Sequence, residues 1–384
     1  MPEKDTYVRL TKWCTPKRLE KPYLYDIKED ELYQVDEAGF VFLSQCDGTK
    51  RQSELKYEEE FLGFCLENEL LELATEPQKR SIPQGRSPQP SLRYLELQVT
   101  SRCNLTCRHC YLGRKKIEDL EVELVRDILG EFEALQGLRI LLSGGEPLLY
   151  PFFWRLNQIL PNYQFRKVLL TNGLILQPET IDKMRVEEIQ ISLDGMEKGH
   201  ELLRGRGTFA KTVAAARATA DSGKDLSIAT MIHIGNLDEI DELSHLVREL
   251  GAREWGLDVP VVAGIMQENP ELQVEPERAV PALKHAFGES YHGGTEGYAC
   301  GHHICTIMPS GKVTKCGFYE QTPLGHIEDG LLTCWQRSQH IPLEDLECGG
   351  CLYLKDCGGG CRYRAPGSLA RDPVMCAFYG VKIK

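Results

Sequence analysis

The central part of the chain alternates short apolar segments with longer amphipathic stretches. Helical stretches are predicted at Val122 to Leu135, Phe209 to Ser222 and Leu237 to Leu250. The apolar segments between such stretches have the length of buried strands and lie near 93–99, 138–142, 167–171, 188–193, 226–232 and 255–260. Strands that alternate with helices in this way predict parallel βα units, and therefore an α/β fold.

The first eighty residues carry a different pattern. Two alternating and two amphipathic segments predict strands at Tyr23 to Ile27 and Glu31 to Val35, followed by helices at Ala38 to Cys46 and Glu58 to Asn68. Prolines and polar residues between 76 and 90 are typical of a linker. We therefore predict a compact module at 1–78 and a linker at 79–91.

Three cysteines follow the strand that contains Leu95, Leu97 and Val99. Their intervals are three and two residues, at Cys103, Cys107 and Cys110. Three thiolates can hold an iron–sulfur cluster and leave one iron without a protein ligand, so that this iron can bind a small molecule. From these intervals alone a zinc site and unrelated thiols are the alternatives. Either site would lie at the carboxyl end of a strand, where α/β enzymes build active sites.

The three-cysteine motif resembles the signature of the radical S-adenosylmethionine (SAM) superfamily. In that family the open iron is chelated by the amine and carboxylate of SAM. Further resemblances follow in order: a turn with Gly144, Gly145 and Glu146, then a block with Ser192, Asp194 and Arg204. By resemblance, Glu146 accepts hydrogen bonds from the methionine ammonium, and the second block contacts the ribose and the methionine carboxylate.

The resemblance also implies an architecture and a reaction. Residues 92–285 would form the partial (β/α)6 barrel of radical SAM enzymes, with an open side that admits a large substrate. Reductive cleavage of SAM would yield methionine and a 5'-deoxyadenosyl radical, which abstracts hydrogen from an unactivated carbon. His109 falls where the family often places an aromatic ring beside adenine, with an exposed loop histidine as the alternative. Asn172 follows another strand, where ordinary turn chemistry is the alternative. No catalytic acid, base or hydrogen donor is identified from the sequence.

The last hundred residues carry most of the remaining cysteines. Their intervals resemble the SPASM pattern, whose domains hold auxiliary iron–sulfur clusters, and we assign 286–384 to such a domain. By resemblance, the first auxiliary cluster takes Cys300, Cys305, Cys316 and Cys361. The second takes Cys348, Cys351, Cys357 and Cys376. Cys305 lies outside the seven-cysteine core of the pattern, and without it the first cluster keeps an open iron. Zinc is the alternative occupant of both sites.

The strand, strand, helix, helix order of the first module resembles a winged-helix-like recognition domain. Its type is the PqqD-like accessory chaperone of pyrroloquinoline quinone synthesis, in which an edge strand and a helix groove capture a leader peptide. An exposed edge strand presents unpaired backbone groups that suit an extended peptide. A small interdomain or oligomerisation module is the alternative.

Length and composition indicate the number of domains, the cellular compartment and the kinds of partner. The chain has 384 residues, 15 cysteines and a formal net charge of −12. Its length suits two or three domains, and the sequence shows neither a signal peptide nor a long apolar span. We therefore expect a cytoplasmic protein with reduced thiols. The acidic charge disfavours nucleic acid as a partner, and no membrane association is expected.

Together these features predict a radical SAM/SPASM enzyme that modifies a ribosomally synthesised peptide, by crosslinking, epimerisation or a related change. Its expected cofactors are SAM, one SAM-binding 4Fe–4S cluster and two auxiliary 4Fe–4S clusters. Its expected partners are a precursor peptide and an electron donor of the flavodoxin or ferredoxin type. One alternative is a tetrapyrrole or cofactor-maturation enzyme, for example a side-chain decarboxylase. Another is a non-enzymatic iron–sulfur electron-transfer protein.

Overall fold

The computed structural model describes residues 5–114, 116–288, 297–301 and 303–383. The predicted domain limits at 1 and 384, and part of the predicted boundary region after 286, lie outside these residues. No helix within the described ranges is both long and apolar enough to cross a membrane.

The N-terminal module contains two small antiparallel sheets and two helices. Its elements are β1 (Tyr7–Leu10), β2 (Cys14–Arg18), β3 (Pro22–Asp26), β4 (Glu31–Gln34), α1 (Glu37–Leu43), β5 (Asp47–Arg51), α2 (Glu59–Glu67) and β6 (Leu71–Ala74). One sheet has the order β5-β1-β6 and the other β2-β3-β4. Strands β3 and β4 and both helices were predicted from the sequence, but β1, β2, β5 and β6 were not.

The central region alternates strands and helices. Its elements are β7 (Tyr94–Thr100), α3 (Val122–Ala134), β8 (Arg139–Gly144), α4 (Phe153–Ile159), β9 (Arg166–Thr171), α5 (Pro178–Ile181), β10 (Glu188–Ser192), α6 (Glu197–Arg204), α7 (Phe209–Asp221), β11 (Asp225–Met231), α8 (Ile240–Glu249), β12 (Glu254–Asp258) and α9 (Pro276–Leu283). Strands β7 to β12 are parallel and follow chain order in the sheet. The predicted α/β class and the predicted alternation of strands with helices are confirmed.

The C-terminal region extends the same sheet. Its elements are β13 (Ile304–Ile307), β14 (Lys312–Thr314), β15 (Gly325–His326), α10 (Leu331–Gln336), α11 (Leu354–Cys357) and α12 (Pro373–Phe378). Strand β13 runs parallel to β7, and β14 and β15 continue antiparallel beyond it. Over the residues that the structure describes, the sheet therefore has nine strands, with β12 at one edge and β15 at the other.

Strand β7 shows how the pattern of side chains organises this sheet. Leu95, Leu97 and Val99 are fully buried in the main hydrophobic core. Because side chains alternate across a strand, Glu96 and Gln98 point to the opposite, concave face. Apolar side chains thus anchor the sheet to its helices, while polar side chains line the interior on the other side.

Buried charges join the N-terminal module to the amino ends of the central strands. Asp30, in the β3–β4 turn, forms ion pairs with Arg139 and Arg166, at the starts of β8 and β9. It also accepts a hydrogen bond from Tyr25. Arg166 is paired further with Glu188, at 3.0 Å, and with Asp225. These groups are held in place by opposite charges, since an unpaired charge at such depth is strongly unfavourable.

Substitution Asp30→Asn is expected to lower the free energy of unfolding by about 3 kcal/mol, because two buried guanidinium groups lose a shared carboxylate. The urea midpoint, followed by circular dichroism, measures the change. The matched control is Glu29→Gln, whose partner Lys28 lies at 2.8 Å with both side chains more than half exposed. That control should change stability by less than about 1 kcal/mol. Equal, small effects of the two substitutions would contradict the structural role of Asp30.

Candidate active site

The three-cysteine loop lies at the carboxyl end of β7, as predicted. It leaves the strand after Thr100 and closes on itself at Asp119, which accepts from the Thr100 hydroxyl and pairs with Arg102 at 2.9 Å. Cys103 is exposed, and Cys107 and Cys110 are partly buried. The loop therefore presents its thiols at the open end of the central sheet.

Two distant segments anchor this loop. The Arg108 amide donates to the Leu203 carbonyl at 2.9 Å, and the Ile265 amide donates to the Cys110 carbonyl at 2.8 Å. Gly264 has φ +56, and a Cβ there would lie 2.4 Å from the Cys110 oxygen. The segment after β12 can therefore approach the loop only because it has a glycine at this point.

The predicted glycine turn packs directly against the start of the loop. The Gly145 amide donates to the Thr100 carbonyl at 2.8 Å, and the Glu146 amide donates to the Arg102 carbonyl at 2.7 Å. A Cβ on Gly144 would lie 2.2 Å from the Thr100 oxygen, and one on Gly145 would lie 2.2 Å from the Arg102 oxygen. Both glycines are thus required by the close approach of two backbone segments.

Glu146 is fully buried behind this turn. Its carboxylate accepts from the Thr171 hydroxyl at 2.8 Å, the Asn172 amide at 2.9 Å and the Leu148 amide at 3.2 Å. Burial raises its pKa, although these hydrogen bonds favour the charged form. Glu146 therefore organises the ends of β8 and β9. Its expected contact with an ammonium group stays a prediction, because the described donors already engage both carboxylate oxygens.

Asn172 links this turn to the cysteine loop. Its side-chain amide donates to Asn104, one residue after Cys103, at 2.8 Å. Asn172 was named from the sequence on weak grounds, and Asn104 was not named at all. Their contact orients the loop from the neighbouring strand end.

The block after β10 brings an ion pair to the same end of the sheet. Arg204 donates from Nε to Asp194, and the Met231 amide donates to the other Asp194 oxygen at 2.8 Å. Although burial alone would raise it, the pKa of Asp194 is held well below its usual range, chiefly by Arg204. Cys107 and Cys103 lie within electrostatic range of Arg204. Ser192 ends β10 beside this pair and is partly exposed.

Only one nitrogen of Arg204 is used by Asp194. No hydrogen bond joins its two terminal nitrogens to any other part of the described chain. A guanidinium held by one carboxylate and open on its remaining edge suits a second carboxylate. This geometry agrees with the predicted contact between Arg204 and the carboxylate of SAM, which stays a prediction.

Three imidazoles surround the ion pair, and two of them were missed in the sequence. Within the described residues, Nδ1 of His109 and Nε2 of His200 and of His233 are buried without a hydrogen-bond partner. Burial lowers the pKa of His109 and of His200 to about 4. Their open nitrogens are therefore neutral donors or acceptors near pH 7. Three unsatisfied polar atoms beside one ion pair are the mark of a site that takes a ligand or water.

A second polar group lines the concave face of the sheet. The Glu96 carboxylate accepts hydrogen bonds from Ser143 at 2.8 Å, Thr306 at 2.7 Å and Tyr111 at 3.2 Å. Tyr111 follows Cys110 and contacts the ring of Phe318 edge-on at 4.9 Å. Glu96 thus connects the cysteine loop to the C-terminal region. Its position inside a strand gave no motif from which to find it.

Four C-terminal cysteines lie around one small cavity. Cys348, Cys351, Cys357 and Cys376 all line it, together with Tyr353 and Tyr379, whose rings stack at 5.1 Å. These are the four cysteines assigned to the second auxiliary cluster. The structure therefore brings this predicted set together, with an aromatic wall on one side.

The set predicted for the first auxiliary cluster is divided. Cys300, Cys316 and Cys361 interact electrostatically with one another. The structure does not bring Cys305 to this group: its side chain is fully buried in the main core, and the neighbouring thiol is that of Cys334. Cys305 lies in β13 opposite Leu95 of β7, so it shares the core-facing side of the sheet.

The chemistry of these thiols fits iron–sulfur clusters. All 15 cysteines are free, and Cys103, Cys107 and Cys110 interact electrostatically. Burial raises the pKa of Cys107 to about 11, so that a bound cation is needed to hold it as a thiolate. Among the described residues, no three His, Cys, Asp or Glu side chains converge as ligands of one metal ion. An iron–sulfur cluster does not require its ligands to converge on one metal ion, because each thiolate binds a different iron atom.

Comparison with protein families identifies the central region. Residues 97–247 match the model of the Radical SAM superfamily. This part of the chain is therefore a radical SAM domain. The superfamily uses a 4Fe–4S cluster and SAM as cofactors. The three-cysteine loop, the glycine turn and the Asp194–Arg204 pair all lie within the matched residues.

Two curated relatives and one solved structure extend the match. PqqA peptide cyclase of Gluconobacter oxydans is 28% identical over 332 residues, covering 76% of this chain and 91% of that protein. AdoMet-dependent heme synthase of Methanosarcina barkeri is 26% identical over 337 residues, covering 74% and 96%. The structure of Streptococcus suis SuiB bound to its precursor peptide SuiA has a TM-score of 0.69 at 15% identity, covering 96% of this chain and 99% of SuiB.

The separation of Cys305 from Cys300, Cys316 and Cys361 can be tested by iron content. Substitution Cys316→Ala should remove about four iron atoms per chain after anaerobic reconstitution, because a three-thiolate set cannot retain a cluster after losing one ligand. Substitution Cys305→Ala should leave the iron and sulfide content unchanged, like the buried control Cys334→Ala. An equal loss of iron in the Cys305 and Cys316 variants would show that Cys305 is a ligand.

Proposed function

We propose that this protein is a radical SAM enzyme that modifies a ribosomally synthesised peptide. One arrangement carries the proposal: the Cys103–Cys110 loop, the Gly144–Gly145 turn and the Asp194–Arg204 pair meet at the carboxyl end of the sheet. Each component is held there by hydrogen bonds from another strand end. Crosslinking, epimerisation and related changes all fit such a site, which does not itself select among them.

The residues of the site divide into ligands, positioning groups and walls. Cys103, Cys107 and Cys110 would hold the cluster, and Arg204 would receive the methionine carboxylate. When bound, the cluster and SAM supply a radical able to abstract hydrogen from an unactivated carbon. The chain itself positions that carbon and excludes water, as the partly buried loop and the neutral imidazoles beside it favour.

The peptide substrate is supported by the N-terminal module. Strand β4 is the edge of the β2-β3-β4 sheet, and no described strand pairs with its outer side. The Val35 amide donates inward to the Pro22 carbonyl at 3.1 Å. Since amide directions alternate along a strand, the amides of Gln34 and Leu32 point outward. A peptide strand can add there by main-chain hydrogen bonds.

Exposed aromatic surface lies beside this edge. The ring of Tyr33 in β4 contacts that of Phe64 in α2 edge-on, with centroids 6.0 Å apart. Phe64 is 42% exposed although it is a large apolar side chain. An added peptide strand could cover it with every second side chain. This combination supports a PqqD-like recognition module at 1–78 over an oligomerisation module.

The C-terminal cysteines complete the proposed enzyme. Cys348, Cys351, Cys357 and Cys376 would hold one auxiliary cluster, and Cys300, Cys316 and Cys361 another with an open iron. We place residues 286–384 in a SPASM domain on this basis. A flavodoxin- or ferredoxin-type protein would supply electrons, and the reducing cytoplasm would keep the 15 thiols free.

Anaerobically reconstituted protein, given a strong reductant and SAM, should form 5'-deoxyadenosine, measured by liquid chromatography. Substitution Cys107→Ala should reduce this product to background, because two thiolates cannot hold the SAM-binding cluster. The matched control is Cys65→Ala, since Cys65 is buried in the core of the N-terminal module. Formation at the normal rate by the Cys107 variant, or none by the wild type, would contradict the proposal. Activity on a porphyrin, with none on peptides, would favour the tetrapyrrole alternative.

Peptide capture at β4 can be tested at one position. Substitution Gln34→Pro removes an outward amide and leaves the bonds to β3 in place, so it should weaken binding of a cognate precursor peptide by about tenfold. Gln34→Ala keeps the amide and should bind within about twofold of wild type. Fluorescence anisotropy of labelled precursor peptides measures both. Equal affinities for the proline and alanine variants would exclude strand addition at this edge.

A further inference from the structure

A cavity of about 620 Å³ lies between the N-terminal module and the central sheet. It is bounded by residues around Trp13 and Lys28 on one side and by the segments that precede β9, β10, β11 and β12 on the other. Because these strands are parallel, the cavity lies at the end opposite the cysteine loop. Its volume is typical of ligand-binding pockets, which span about 300–1,000 Å³.

Basic side chains outnumber acidic ones in the lining that the structure describes. Three come from the N-terminal module and the linker, namely Lys12, Lys28 and Arg80. Four come from the central region, namely Lys167, Arg185, Lys224 and Arg253. The acidic side chains of the lining are Glu29, Glu187 and Asp225. This excess of positive charge stands out in a chain whose formal net charge is −12.

The acidic side chains are already paired. Asp225 binds Arg166 and, at 2.8 Å, Arg253. Glu187 accepts from the Lys167 amide at 2.7 Å and lies 3.7 Å from its ammonium group. Glu29 pairs with Lys28 at 2.8 Å. The carboxylates of the lining therefore leave the other cations uncompensated.

Four basic side chains have no carboxylate partner among the described residues. The Lys224 ammonium donates to the carbonyls of Met184 and Val186, each at 3.1 Å. Arg80 likewise donates to main-chain carbonyls, including that of Cys14 at 2.7 Å. The Lys12 ammonium lies over the Trp13 ring, 4.6 Å from its centroid, and Arg185 is exposed with no side-chain partner in the described chain.

Burial makes this arrangement costly without an anion. It lowers the pKa of Lys224 and of Arg80, since each charged group loses hydration and its hydrogen bonds go to amide carbonyls rather than to a carboxylate. Carboxylates entering the cavity would replace the missing negative charge. The cavity is thus electrostatically prepared for an acidic ligand.

The spacing of the cations indicates an extended ligand. Those of the central region are distributed across the starts of four neighbouring strands, β9 to β12. Neighbouring strands lie about 4.8 Å apart, so this row spans about 14 Å. Lys167 and Arg253 at its two ends are paired with carboxylates, and Arg185 and Lys224 in its middle are not. A single phosphate would reach only one or two of these side chains. A chain of carboxylates would reach several, and apolar lining from Trp13 and Tyr163 suits its main chain and methylene groups.

We propose that this cavity binds a carboxylate-rich segment of the peptide substrate, held between the N-terminal module and the amino ends of β9 to β12. The proposal rests on the proposed function for the substrate class. It adds a second point of attachment, on the face of the sheet opposite the chemistry. Such a segment would be recognised by charge, while the β4 edge would recognise extended main chain.

The test uses purified full-length protein and a fluorescein-labelled hexaglutamate peptide, with binding followed by anisotropy at low and moderate salt. The double variant Lys12→Glu/Arg185→Glu should weaken binding by at least about tenfold, because two uncompensated cations become anions. The matched control is Lys211→Glu/Lys284→Glu, which makes the same charge change at exposed sites outside the cavity. This control variant should bind the labelled peptide within about twofold of wild type. The Gln34→Pro variant should also bind it within about twofold of wild type.

Each outcome bears on the proposal. Selective loss in the cavity variant, with hexaglutamine not bound, supports it. Equal losses in the cavity and control variants would show a response to net charge alone and would overturn it. Displacement of the peptide by pyrophosphate at lower concentration than by unlabelled hexaglutamate would also overturn it, in favour of a small polyanion. For a Lys224→Gln variant, both the affinity for the labelled peptide and the melting temperature are measured. Weaker binding at an unchanged melting temperature shows loss of binding without loss of folding.

Failure here is distinguishable from failure of the proposed function. Binding of the probe requires no iron, SAM or turnover. Protein that cleaves SAM and modifies a peptide but binds hexaglutamate no better than hexaglutamine would refute the cavity alone. Protein that binds the probe selectively but never cleaves SAM would refute the enzymatic proposal and leave the acidic-ligand site standing.

Discussion

The close approach of two backbone segments at the carboxyl ends of β7 and β8 is the constraint on which the site depends. Gly144 and Gly145 lie so near Thr100 and Arg102 that no other residue fits without displacement of main chain. That contact fixes where the cysteine loop starts. Glu146 is buried directly behind this contact and links the turn to β9, because it accepts hydrogen bonds from Thr171 and Asn172. Three strand ends are thereby set relative to one another before any cofactor binds.

The two ends of the sheet use charge in opposite ways. At the carboxyl end, Asp194 and Arg204 neutralise each other, and the two terminal guanidinium nitrogens have no hydrogen-bond partner in the described chain. At the amino end, Asp30 and Arg166 belong to a closed network that joins two modules, and the adjoining cavity keeps cations without carboxylates. Charged groups that pair with one another hold the two modules together, whereas cations without a carboxylate partner can bind an acidic ligand. The distinction separates groups that hold the fold from groups available to ligands.

Much of the central region could be predicted because its signals are local. The buried strands carry recurring apolar residues, as Leu95, Leu97 and Val99 do in β7, and the cysteine intervals and the glycine turn are recognisable motifs. The small sheet strands were missed for a physical reason. Strands β1, β5 and β6 are four or five residues long and pair with segments far away in the sequence, as Tyr7 does with Arg51 of β5 and with Ala74 of β6. Nothing within such a segment marks its partner.

Some site residues are likewise recognisable from local sequence, whereas others come together only in the fold. Cys103, Cys107 and Cys110 follow from spacing, whereas His200 and His233 are recognisable only once α6 and the end of β11 are brought to Asp194. The linker between 79 and 91 also proved more than a spacer. Arg80 from this segment donates to carbonyls around β2 and to Gln164 of the central region at 3.0 Å. Composition identifies a linker but not the contacts it makes.

Cys305 shows how strand register can override a cysteine pattern. Pairing of β13 with β7 sets Cys305 opposite Leu95 and Thr306 opposite Glu96. Thr306 accordingly reaches the concave face, where it donates to Glu96 at 2.7 Å, and Cys305 faces the core. Turning Cys305 toward Cys316 would require a one-residue slip, which would move Ile304 and Thr306 to the wrong faces as well. The geometry of the sheet therefore keeps Cys305 apart from Cys300, Cys316 and Cys361.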